Sequence, residues 1–105
     1  MPASISSVEP SGSIMVSTDP ASPIPNEIAI YGSELADATS VEFDSGADYQ
    51  WVVTSMSASS NSIIVNAVVF GSSGGSGSLN TMVNMPHDSI YGPTTEVEMV
   101  LPLLD

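Results

Sequence analysis

Apolar residues recur along the chain in runs of about four to eight, separated by clusters of serine, glycine, proline and asparagine. Residues 26–31 alternate, with Ile28 and Ile30 on one face and Glu27, Ala29 and Tyr31 on the other, the pattern of a half-buried strand. Residues 39–44 repeat it, Val41 and Phe43 inward and Glu42 and Asp44 outward, and residues 49–56 set Trp51 and Val53 on one side. Residues 62–70 are apolar on both faces, Ile63, Val65, Ala67 and Val69 against Ile64, Val68 and Phe70, which predicts a central strand. Ile5 and Val8 both belong inward in residues 4–9, and their odd spacing predicts a bulge or a switch between sheets before Pro10-Ser11-Gly12, with residues 14–17 as a short continuation. Residues 79–85 and 96–101 supply the last strands.

The punctuation agrees with this reading. Pro20, Pro23 and Pro25 forbid a central strand and predict an extended loop crossing an edge. Gly32 is placed at the end of its strand, residues 71–77 read as a flexible glycine-serine hairpin turn, and a long loop carries Pro86, His87, Asp88, Gly92 and Pro93. No window has helical periodicity, and none approaches the roughly 18 consecutive apolar residues of a membrane helix. About seven strands in one domain spanning residues 1–105 is the count of a two-sheet sandwich, with a closed barrel as the second arrangement.

Charge changes the picture more than hydropathy does. The chain has 12 Asp and Glu, no Lys or Arg, and a formal charge of −12. No Lys or Arg ion pair can form, so stability rests on apolar burial and backbone hydrogen bonds, and mutual repulsion of surface carboxylates is relieved by salt. Nucleic acid and anionic membranes, which are gripped by clustered Lys and Arg, are excluded as expected partners; a basic protein surface is the electrostatic complement. With no cysteine there is no disulfide, thiolate nucleophile or cysteine zinc site. The opening Met1-Pro2-Ala3-Ser4-Ile5 lacks the basic and apolar regions of a secretory leader, so a complete chain that is not exported by that route is expected.

Candidate chemistry is sparse. His87 is the lone histidine, and although Asp88 and many serines supply the other types of a nucleophilic triad, neighbours in sequence point apart; a plain loop histidine is expected, with no catalytic residue. Glu34, Asp37, Glu42, Asp44 and Asp48 offer hard oxygen ligands for calcium, but the spacing of an EF-hand is missing and outward alternation already explains Glu42 and Asp44, so no metal or other cofactor is expected. Trp51 is read as a core residue in preference to a sugar platform. Tyr31, Tyr49 and Tyr91 are the aromatic contact candidates, joined by Leu103 and Leu104 if the tail docks on a partner instead of completing the core.

The stretch from Ile28 to Phe43, IAIYGSELADATSVEF, resembles the centre of the IPT/TIG family of immunoglobulin-like domains, with Gly32, Leu35, Val41 and Phe43 in the family's places. Ile5-Ser6-Ser7-Val8-Glu9-Pro10-Ser11-Gly12 is similar to its first strand and turn. The chain departs from the family at Pro23-Ile24-Pro25-Asn26, where a Gly-Gly pair is usual, and in its long last loop. The resemblance implies an all-β, immunoglobulin-like two-sheet sandwich that is non-enzymatic and adhesive. By analogy with such domains on tailed bacteriophages, the expected role is a virion structural protein of the capsid decoration or cement kind, bound to the shell protein or to copies of itself as a homo-oligomer. The alternative is an adhesive, spacer or carbohydrate-binding module of a bacterial cell-surface or secreted protein.

Overall fold

The computed structural model describes residues 2–102. Among them are nine strands and no helix: β1 (Ser4–Pro10), β2 (Ile14–Ser17), β3 (Asn26–Ser33), β4 (Ser40–Asp44), β5 (Gln50–Ala58), β6 (Ser62–Phe70), β7 (Gly75–Asn84), β8 (Ser89–Tyr91) and β9 (Thr95–Val100). β1, β3, β6 and β5 lie side by side in that order, all antiparallel. β9, β7 and β4 form a second antiparallel layer. These are the strand orders A-B-E-D and G-F-C of an immunoglobulin-like sandwich.

Seven strands become nine because the first and last are each cut in two. β1 pairs with β3, but after Ser11-Gly12-Ser13 the chain crosses over and β2 runs parallel to β9 at Ile14 and Met15, then parallel to β6 at Val16 and Ser17. The expected bulge is present as well: the register of β1 on β3 shifts between Ile5 and Ser7, and the extra residue turns both Ile5 and Val8 inward against Gly92. At the other end, β8 pairs with the second half of β7 and β9 with its first half. Gly92-Pro93-Thr94 makes the step between them.

β2 joins the layers, so hydrogen bonding runs unbroken through β1-β3-β6-β2-β9-β7-β4, with β5 on the far side of β6. β4 and β5 are not paired, so the sheet does not close and the barrel alternative is excluded. Asn26 makes the crossing possible. Buried where β2 replaces β3 beside β6, it accepts from the Met15 N–H at 2.8 Å and donates to the carbonyls of Met15 at 3.1 Å and Ala67 at 3.4 Å. Its amide stands in for a missing ladder residue.

The core is one cluster between the layers. Ile28, Ile30, Ile63, Val65, Ala67 and Val69 come from one side; Val41, Phe43, Leu79, Val83 and Met99 come from the other, and Ile14 and Val16 of β2 close one flank. Leu35, fully buried, plugs one end, its N–H bonded to the Ser60 carbonyl at 3.0 Å. Trp51 is half-buried and packs against the core from its inward side, tilted against Phe43 with ring centroids 5.2 Å apart and its indole N–H donating to Ser45 Oγ at 3.0 Å.

Most strand ends fall within one or two residues of the sequence pattern, and β5 runs on to Ala58; the departures with a clear cause are at β3, β7 and β8. β3 does not stop at Gly32 but continues to Ser33, because Gly32 and Ser33 pair with Ile5 and Ser4. β7 begins at Gly75, inside the stretch read as a turn, since its backbone pairs with β9 from Gly75 to Leu79 and backbone pairing needs no side chain. β8 lies within the expected long loop.

Candidate interaction surfaces

The outer face of the β9-β7-β4 layer is built by alternation. Leu79, Thr81 and Val83 of β7 point inward, leaving Ser76, Ser78, Asn80, Met82 and Asn84 outward. β4 sets Ser40, Glu42 and Asp44 beside Asn84, Met82 and Asn80, and β9 sets Glu98 and Glu96 beside Ser76 and Ser78. A row of amides and hydroxyls therefore runs between two pairs of carboxylates. Hydrogen bonds hold it in place: Asn84 Nδ2 donates to Glu42 Oε2 at 2.8 Å and to Ser40 Oγ at 2.9 Å, Ser89 donates to Asn84 Oδ1 at 2.6 Å, and Thr94 donates to Asn80 Oδ1 at 2.7 Å.

Tyr91 stands on this face. It pairs with Met82, is 72% exposed, and borders a shallow groove of about 270 Å³ lined also by Glu42, Phe43, Asp44, Asn80 and Thr81. A ring this open, beside carboxylate acceptors and an amide, can stack on a flat partner and anchor it with polar contacts.

Tyr31 lies on the opposite side of the molecule, on the outer face of the β1-β3-β6-β5 layer. It is 41% exposed, and Val52 at 42% and Ile64 at 36% share that face with Glu9 and Glu27. Tyr49 belongs to neither face. It is half-buried at one end of the sandwich, its hydroxyl donating to the Ser73 carbonyl at 2.9 Å and its ring close to Gly71. The structure thus separates the three tyrosines. Leu103 and Leu104 lie outside the described residues.

The five carboxylates between residues 34 and 48 are also dispersed. Glu34 and Asp37 are at one end beside Met85, His87 and Asp88; Glu42 and Asp44 are on the β4 face; Asp48 is at the other end beside Thr18 and Tyr49. Among the described residues no group of three or more His, Asp or Glu side chains is arranged to hold a metal ion. His87 is exposed, and among the described residues no hydroxyl or carboxylate is hydrogen-bonded to its ring.

One feature was not read from the sequence. No carboxylate occurs from Tyr49 to His87, so β5, β6 and β7 carry no charge. The signal is a plain gap in the positions of Asp and Glu, and it acquires meaning only when strand order shows that β5 is an edge. No family model matches this chain, and no curated protein matches it.

Proposed function

We propose that this chain is a non-enzymatic adhesion module that decorates a larger protein assembly, in the manner of a virion capsid decoration or cement protein. The observation that carries the reading is the acidic face: Glu42, Asp44, Glu96 and Glu98 flank hydrogen-bonded amides and hydroxyls, with Tyr91 open among them, on a chain without a single Lys or Arg. A basic shell surface complements such a face in sign, and an exposed aromatic within a polar frame supplies a contact anchor. The resemblance of residues 4–43 to IPT/TIG domains supports an adhesive role over a catalytic one.

Co-sedimentation with intact and emptied particles of the source phage tests this. Stoichiometric binding is expected, weakened by 0.5 M NaCl and by Tyr91→Ala; a chain that stays in the supernatant under all conditions refutes it. The second reading, a carbohydrate-binding module, is favoured by the groove beside Tyr91, where a sugar ring can stack on the phenol and bond to Asp44 and Asn80. Chemical-shift changes confined to Tyr91, Met82 and Asn80 on adding oligosaccharides, with no particle binding, would select it.

A further inference from the structure

We propose that two copies of this chain join edge to edge along β5, antiparallel about a two-fold axis near Thr54, making the β1-β3-β6-β5 layer continuous across a dimer. This goes beyond the decoration reading and stands whether or not a shell is bound.

An open strand edge invites another strand, and folded proteins defend such edges with charge, proline, bulges or shortness. β1 has Glu9, Pro10 and a bulge. β4 is five residues long and carries Glu42 and Asp44. β5 is nine residues long, Gln-Trp-Val-Val-Thr-Ser-Met-Ser-Ala, with no charge, proline or glycine; its one defence is a bulge between Val53 and Ser55. On one side it pairs with β6, and among the described residues no backbone hydrogen bond outside that ladder reaches residues 50–58. Its inward row is also incompletely covered. Trp51, Val53, Met56 and Ala58 are half-buried, whereas the inward residues Ile63, Val65, Ala67 and Val69 of neighbouring β6 are fully buried.

Charge selects a second copy and sets its direction. Two chains of −12 repel over most of their surfaces, and β5 is the long edge strand that carries no carboxylate of its own. In a parallel pair the Asp48 residues preceding the two strands would lie side by side. Antiparallel pairing places each opposite the uncharged Ser59-Ser60-Asn61 turn of the other copy. The two Asp48 groups are then separated by about twelve residues at roughly 3.3 Å each, on the order of 40 Å. That is several times the screening length of about 8 Å at physiological salt. A two-fold contact is self-complementary, so one uncharged edge serves both partners.

Light scattering during size exclusion, over a concentration series of the full chain without particles, tests the proposal. A species of twice the 10.8 kDa chain mass is expected, strengthened between 20 mM and 500 mM NaCl, the opposite salt response to binding a basic shell. Val52→Glu and Thr54→Glu, both at exposed positions of β5, should each weaken the dimer at least tenfold while circular dichroism shows the same β-sheet signal; Ser6→Glu at an exposed position of β1, the opposite edge of the layer, should not. Backbone amides of β5 should gain hydrogen-exchange protection with concentration. A monomer at every concentration and salt overturns the proposal, as does a dimer indifferent to both β5 variants. Protection of β5 that appears only when particles are added also overturns it, by giving the edge to a strand of the shell.

Discussion

Thr81 sits fully inside the sandwich on β7, and its hydroxyl is buried without a hydrogen-bond partner among the described residues. A buried, unpaired polar group costs about 1–3 kcal/mol, so Thr81→Val, which keeps the shape and removes the hydroxyl, is expected to stabilise by about 1 kcal/mol. Urea denaturation reads this as a higher midpoint at unchanged slope; a lower midpoint would show that the hydroxyl is bonded in solution. Asn26 is the opposite case, since every polar atom of its side chain is used. Asn26→Ala leaves the Met15 N–H and carbonyl without that partner where β2 crosses, and a loss of about 2–3 kcal/mol is expected from the same titration. In the sequence Thr81 lies within an expected strand and Asn26 begins one. Nothing local distinguishes them, because the partners of Asn26 are 11 and 41 residues away.

At the scale of elements, the contact of β1 with β3 depends on Gly32. A Cβ there would overlap the Ser4 carbonyl, so Gly32→Ala must displace β1 from its partner. A loss of about 2 kcal/mol or more is expected, with faster hydrogen exchange confined mainly to β1 and residues 32–33. Uniform acceleration across β6 and β7 would instead mean that β1 is not a separable unit. Strands that carry their own pattern are legible: the apolar run gives β6 its observed bounds, and alternation gives the apolar inward residues of β3 and β4, though not buried Asn26. The strands missed or shortened, the start of β7 and all of β8, lack that signal. Gly75-Ser76-Gly77-Ser78 has turn composition and becomes a strand because β9 lies beside it. That cause is tertiary and leaves no periodicity to find.

For the whole molecule, charge governs behaviour. The sandwich measures 50 × 24 × 22 Å and carries 12 carboxylates with no compensating Lys or Arg. Screening should therefore stabilise it: between 10 mM and 0.5 M NaCl the melting temperature is expected to rise by about 4–8 °C, corresponding to roughly 1 kcal/mol for a domain of this size. A flat response in differential scanning calorimetry would mean that the carboxylates are spaced widely enough not to repel. The sandwich class followed from strand number and turn spacing. The grouping of contact residues did not, since Tyr31 and Tyr91 are similar in sequence context yet project from opposite layers. Layer membership depends on strand order, which the alternation of a single strand does not encode.

The crossing made by β2 also determines how the domain bears tension. β2 runs parallel to β9, the last strand, so a pull separating the two chain ends slides these strands lengthwise past each other. The rungs at Ile14–Met99 and Met15–Val100, and those at Val16–Val69 and Ser17–Phe70, then share the load together and do not open one after another. Shear across a short parallel clasp resists force better than peeling does. Once the β1–β3 ladder, which lies ahead of β2 in the line of force, has opened, a module tethered by its two ends would hold its remaining shape until that clasp gave way.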